Sequence, residues 1–330
     1  MRLEDLADAL RGSRGLAHKR DIEPVLGTLA LQLSGGAAGL AQAVPVGDDC
    51  AAIADGEGYL LFAIEGFVNE FVAAEPWFAG YCGVMVNVSD VAAMGGRALA
   101  VVDAIWSKDS EGARPVLEGL AAASAVYGVP IVGGHSNLRC DRGQLSVAIM
   151  GRARRLLTSF DVKAGDEILV AIDLRGRYHE PYPYWDASTG APAARLRADL
   201  ELLPALAESG LCRAAKDISM AGTVGTVLML LECSGLGGVI DVNAVPRPAG
   251  VLLTRWLTTF PSFGFILSVS PGQTDTVIAN FAAREIACAV VGNADDSRKV
   301  RVSDGQSEAL LWDFAAKSLM GCAPPAQAQR

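Results

Sequence analysis

Two residues with chemistry stand close together in an otherwise apolar stretch, Asn87-Val88-Ser89-Asp90-Val91-Ala92-Ala93-Met94-Gly95-Gly96. Asn87 and Asp90 lie three positions apart, so on a helix they share one face and project side by side. A carboxylate beside an amide among Ala, Val and Met is costly to bury without a cation or hydrogen-bond donors. A surface-facing Asp on a stable helix is the plainer alternative, and these residues alone do not separate the two. A second acidic feature is Gly47-Asp48-Asp49. Adjacent Asp residues after a Gly often only make a turn. Such a turn also leaves carboxylates free and N–H groups exposed, which suits a hard cation.

Two further segments carry reactive side chains. Arg11, Arg14, Lys19 and Arg20 make the most basic short stretch of the chain, around Gly12, Ser13 and Gly15. It reads either as a solvated connection or as a mobile arm whose Lys19 reaches a phosphate. The segment Leu174 to Thr189 holds Tyr178, Tyr182, Tyr184 and Trp185 in a chain that is only 6% aromatic. Pro181 and Pro183 stiffen it, and His179, Glu180 and Asp186 add groups able to exchange protons. It is either a rigid surface loop or dimer contact, or a substrate lid with His179 or Glu180 as general acid or base.

These residues need elements to hold them. Trp77, Tyr81, Val84, Met85, Val88 and Val91 recur at three- and four-residue spacing and predict a helix carrying Asn87 and Asp90. Val46 to Asp49 is expected as a strand running into a turn, and Tyr59 to Ile64 as a buried strand ending at Glu65. Ala98 to Trp106 predicts a strand containing Asp103, Pro115 to Tyr127 a helix, and Val129 to Val132 a short strand. Gly133 to Asn137 reads as a glycine turn, and Leu145 to Gly151 as another strand. Phe160 to Asp166 is the expected boundary, leading into a strand from Glu167 to Ile172. Helices are expected at Ala193 to Ser209 and Ala221 to Ser234, with strands near Gly264 to Val269 and Ile286 to Gly292. The N-terminal segment reads as two short helices around the basic linker. The tail from Cys322 reads as disordered.

Composition bounds the rest. The chain has 330 residues, enough for two domains with full cores. Its formal charge is -9 with no long basic run, which argues against nucleic acid as the main partner. No stretch supplies the roughly 18 consecutive apolar residues of a membrane span, and the acidic start MRLEDLADALRG is unlike a signal peptide. A soluble, cytoplasmic protein without membrane partners is expected. The seven cysteines are odd in number and include no C-x-x-C pair, so neither a zinc knuckle nor a disulfide framework is indicated and most read as small buried hydrophobes; the three scattered histidines indicate no histidine metal site.

Taken in order and spacing, five motifs resemble the aminoimidazole-ribonucleotide (AIR) synthase superfamily over nearly the whole chain. They are Gly47-Asp48-Asp49-Cys50-Ala51-Ala52, Asn87 through Gly95, Gly133-Gly134-His135-Ser136, Lys163-Ala164-Gly165-Asp166, and Lys216-Asp217-Ile218-Ser219 with Gly222. That superfamily includes thiamine-phosphate kinase, selenophosphate synthase, the hydrogenase-maturation dehydratase and formylglycinamidine synthase. The resemblance implies an α/β (α+β) architecture. An N-terminal open-sheet domain, residues 1–158, would dimerise through its strands. A C-terminal α/β domain, residues 159–330, would form the substrate side. It also implies ATP and Mg²⁺ as cofactors. Asp48, Asp49, Asp90 and Asp217 become the expected metal ligands, with Glu65 standing where the family usually has Thr-Asp. Asn87, Gly133, Gly134, His135, Ser136, Asn137 and Lys216 become the expected nucleotide-binding residues.

The branch is approached by subtraction. The first cysteine is Cys50, so the reactive N-terminal cysteine or selenocysteine of the selenophosphate branch is absent; His18-Lys19 occupies roughly that arm. Cys322 precedes eight further residues, unlike the terminal cysteine of the hydrogenase branch. The kinase motifs G-G-D-T, D-I-S-D-G and D-Y-E are replaced by GGHS, DISMAG and Ser262-Phe263-Gly264-Phe265, and the G-G-E-T of AIR synthase is also missing. The resemblance therefore implies a homodimeric, Mg²⁺-dependent ATP-using enzyme that phosphorylates an oxygen of a small metabolite to activate it, ligase- or cyclase-like. A small-molecule kinase and a non-catalytic nucleotide-binding regulatory or scaffold protein are the alternatives.

Overall fold

The computed structural model describes residues 2–33 and 44–323. The expected disorder of the tail falls mostly on 324–330, outside the described residues. The chain divides into two compact units: Asp49–Leu156 with Gly190–Glu208, and Met1–Asp48 with Leu157–Thr189 and Ser209–Arg330. This differs from a single boundary at 158/159, because long-range packing reassigns two segments. The helix Leu3–Arg11 buries Leu6, Ala7 and Leu10 and sends the Arg11 guanidinium to the carbonyl of Leu310, so it belongs with the C-terminal sheet. The helix Ala193–Leu200 packs on Ser110–Tyr127, where Arg197 donates to the carbonyls of Val126 (2.9 Å) and Ala125 (3.1 Å).

In the first unit, five strands lie in the order Ala51–Asp55, Gly58–Gly66, Gln144–Ala153, Arg97–Trp106, Ile131–Asn137. Strict alternation gives the sheet two faces: Leu145, Val147 and Ile149 are buried while Met150 is exposed. The buried face packs under the helix Pro76–Ala93, which is buried from Phe78 to its end. The helix Ser110–Tyr127 crosses it closely. A Cβ on Gly80 would sit 2.0 Å from the carbonyl oxygen of Val116, and one on Gly119 1.9 Å from that of Trp77. The opposite sheet face is apolar and open, with Phe62, Ile64, Val102 and Met150 all at least 40% exposed.

Two expectations change here. The strand expected at Val46 is a turn at Val46 and Gly47 followed by bends, and strand structure begins at Ala51. The glycine turn expected at Gly133–Asn137 is the outer half of an edge strand, parallel to Arg97–Trp106. Gly134 serves close approach rather than turning, since its Cβ would lie 2.5 Å from Oδ1 of Asp103.

In the second unit, seven strands run in the order Glu308–Asp313, Lys299–Ser303, Gly237–Asp241, Ala287–Asp295, Glu167–Ile172, Gly264–Val269, Ala214–Asp217. Its core includes Trp256, Phe265 and Phe281, and the helix Gly222–Ser234 is buried through Cys233. A small three-stranded sheet joins Phe260–Pro261, Tyr184–Asp186 and Arg177–Tyr178. The basic linker is itself a helix, Arg14–Lys19, because Ser13 caps it by accepting from the Leu16 N–H and Leu16 is buried. The helix expected over Ala193–Ser209 breaks into Ala193–Leu200 and Leu202–Ser209. Pro204 lacks the N–H that would reach the Leu200 carbonyl, and its ring crowds that position.

Candidate functional site

Asn87 is fully buried on the long helix of the five-stranded unit. Its Nδ2 donates to the carbonyls of Gly83 (2.8 Å) and Val147 (3.0 Å), tying helix to sheet, while its Oδ1 is buried without a hydrogen-bond partner. Leaving such an acceptor dry costs on the order of 1–3 kcal/mol unless a donor or cation meets it. One turn on, Asp90 is 6% exposed. The carboxylates of Asp49 and Asp90 place oxygens within 4.8 Å of each other. Two unit charges at that separation repel by roughly 3 kcal/mol at an effective dielectric of about 20. A divalent cation between them reverses the sign, and two carboxylates with an amide oxygen form a hard-oxygen donor set that suits Mg²⁺.

Strand register places more of this face. Glu65 and Asp103 are both paired with Val147, the residue whose carbonyl receives Asn87. Paired residues project on the same side of a sheet, so both carboxylates join the helix-covered face. Asp103 was visible in the sequence as a charge inside an apolar strand but not as a site residue. Partial burial raises its carboxyl above the usual range. Gly134 and Ser136 share this face, opposite Asp103 and Ile105. Gly133, His135 and Asn137 point the other way, with Val102, Ala104 and Trp106. Within this unit, His135 and Asn87 are therefore on opposite faces of the sheet and are not brought together.

In the seven-stranded unit, Asp48 is turned onto its own neighbours. It accepts from Thr158 Oγ1 (2.6 Å), the Ser159 N–H (2.9 Å) and Ser159 Oγ (2.7 Å), which makes it a clasp for that loop. Lys216 and Asp217 end the edge strand Ala214–Asp217, both buried. Lys19 closes a helix that is folded down rather than mobile: a Cβ on Gly15 would lie 1.9 Å from the Met220 carbonyl oxygen. The aromatic segment forms a column, with His179 stacked on Tyr182 (6.1 Å) and Tyr182 on Tyr184 (5.3 Å). A single Arg255 nitrogen, Nη2, donates to both carboxylate oxygens of Glu180 (2.8 Å each), and that guanidinium lies 3.6 Å above the Tyr178 ring. Partial burial pushes the Tyr178 phenol up.

A cavity of about 190 Å³ in the five-stranded unit, lined by Val88, Arg97, Tyr127, Arg197 and Glu201, was not foreseen. Its guanidinium groups are already engaged, Arg97 with Glu201 and Glu208 and Arg197 with helix carbonyls.

Two α/β units with these motifs define a class, and comparison with known proteins supplies the family. The chain belongs to the AIR synthase related proteins: the N-terminal domain of that family matches residues 47–153 and the C-terminal domain residues 182–305. It is 44% identical over 320 residues to an uncharacterized protein of Synechocystis, covering 97% of this chain and 98% of that one. Among solved structures it resembles T. maritima PurL complexed with FGAR (TM-score 0.73, 21% identity, 98% of this chain and 54% of that chain). The same PurL complexed with ATP gives a TM-score of 0.69 at 21% identity, with 86% and 46% covered. AaThiL complexed with AMPPCP and TMP gives 0.64 at 17% identity, with 86% and 93% covered. The chain spans about half the length of PurL.

Proposed function

We propose that the protein is a Mg²⁺-dependent, ATP-using enzyme that activates an oxygen of a small metabolite by phosphorylation. The observation that carries this reading is the unpartnered Oδ1 of buried Asn87, one helical turn from an Asp90 carboxylate that approaches Asp49. Asp49 and Asp90 are the proposed metal ligands. Bound Mg²⁺ would neutralise phosphate charge during transfer. Glu65 is proposed as a further acid of that face, and Asp217 as a ligand by the motif it belongs to. Gly134 and Ser136 offer a close backbone approach and a hydroxyl to the nucleotide. Lys216 and Lys19 are proposed phosphate-facing cations. With Glu180 committed to Arg255, His179 is the proposed group for proton exchange with the substrate.

The open sheet face of Phe62, Ile64, Val102 and Met150 is the proposed homodimer surface, and His135 lies on that side. The test is calorimetric titration of ATP with and without Mg²⁺, on wild type and Asp90→Asn. Mg²⁺-dependent binding that disappears in the variant is expected; binding indifferent to both metal and variant refutes the site. In turnover with a metabolite, ³¹P NMR separates the branches: phosphate released supports a synthase, and phosphate kept on the product supports a kinase.

A further inference from the structure

Of the four cysteines in the seven-stranded unit, none of which any step above uses, two lie together. Cys233 lies in the last turn of the helix Gly222–Ser234, fully buried, and Cys322 follows the final strand at 7% exposure. Eighty-nine positions separate them in sequence, yet the fold brings both sulfurs to one place. Both sulfurs sit over Gly47. A Cβ there would fall 2.5 Å from Sγ of Cys322 and 3.8 Å from Sγ of Cys233. The Cys233 thiol also points at the Gly47 carbonyl (3.8 Å).

The approach is built rather than incidental. Glu232, next to Cys233, accepts from the N–H groups of Leu319 (2.7 Å), Met320 (2.8 Å) and Gly321 (3.4 Å). Three donors on one carboxylate fix the segment that delivers Cys322. Gly47 leaves the space the sulfurs fill.

We propose that Cys233 and Cys322 form a redox-active dithiol site that hydrogen peroxide oxidises to an intramolecular disulfide. Cys322, the less buried thiol, attacks a peroxide oxygen as its thiolate, cleaving the O–O bond and releasing water after protonation; its sulfur becomes a sulfenic acid. The Cys233 sulfur then attacks that sulfur, the S–O bond breaks, and a second water leaves. Two thiols lose two electrons and two protons, and one peroxide gives two waters. Cys233 is fully buried and Cys322 is 7% exposed, in keeping with these roles. The new bond closes a long loop, which restricts the unfolded chain.

The test uses the full chain, reduced with dithiothreitol, desalted and titrated with hydrogen peroxide. Remaining thiols are alkylated in denaturant and mapped by peptide mass spectrometry. The expected result is joint loss of alkylation at Cys233 and Cys322, with a cross-linked peptide pair lighter by two hydrogen atoms and recovered by dithiothreitol. The oxidised protein should also unfold at higher temperature than the reduced one. Cys322→Ser should leave Cys233 alkylatable after peroxide; if that variant does not fold, the wild-type map decides alone. Both cysteines still alkylatable once the half-buried thiols of Cys140 and Cys288 have reacted, or oxidised to sulfinic acid without a cross-link, overturns the proposal.

Discussion

Replacing Asn87 with leucine separates two roles of one side chain. In Asn87→Leu the two Nδ2 hydrogen bonds to Gly83 and Val147 disappear. At about 1 kcal/mol net each, that is a loss of about 2 kcal/mol. The same change removes the buried Oδ1 that has no partner, relieving on the order of 1–3 kcal/mol of unpaid desolvation. Leucine has nearly the same shape, so no cavity term is added. Without nucleotide, the urea midpoint should therefore correspond to a change of no more than about 1 kcal/mol. With Mg²⁺ and ATP the outcome should differ sharply. Saturation at 100 times the dissociation constant stabilises a binding-competent protein by about 2.7 kcal/mol, and the variant should show little of that gain. The assay is urea denaturation with and without Mg·ATP, followed by tryptophan fluorescence. A loss above about 3 kcal/mol without ligand would mean that Oδ1 is already satisfied in the folded protein. Ligand stabilisation equal to wild type would mean that Asn87 does not face the nucleotide.

Two further outcomes follow from geometry. Gly80→Ala and Gly119→Ala each drive a methyl onto a carbonyl oxygen at about 2 Å. Each should cost at least about 1–3 kcal/mol by urea denaturation, since two buried helices must separate. Asp103 has a folded-state carboxyl raised by burial, so its neutral form is favoured in the fold. The stability this lends is present below the unfolded value of about 3.9 and is lost as pH rises through the raised value. Asp103→Asn should therefore melt higher than wild type at neutral pH, the gap closing as pH falls below about 3.9. An equal melting temperature at both pH values would refute the burial argument.

Much of the site was legible because it is local. The i, i+3 spacing of Asn87 and Asp90 needs only a helix, and the apolar recurrence from Trp77 to Val91 announces one; the observed helix runs Pro76–Ala93. The strands Glu167–Ile172 and Gly264–Val269 were likewise readable from short apolar runs. The basic stretch around Gly12 and Gly15 was misread because composition hid a capped turn. There the buried Leu16 and the tight contact at Gly15 decide for helix.

What the sequence by itself determined, then, is the set of motifs, the elements that carry them and the pairs that lie within one helical turn. Tertiary structure decided what depends on register and distant contact. Asp49 meets Asp90 only because the strand Ala51–Asp55 and the long helix share one unit. Asp103 lies on the helix side of the sheet because it pairs with Val147, and Gly134 joins that side while His135 faces away because the edge-strand pairing shifts between Val101 and Val102. Side chains alternate with a period of two, so a slip of one residue exchanges every face. Nothing local in the residues around Gly133 sets that shift. Cys233 and Cys322 meet for the same kind of reason: the Glu232 carboxylate captures three N–H groups from the far end of the chain, a contact that no sequence spacing encodes.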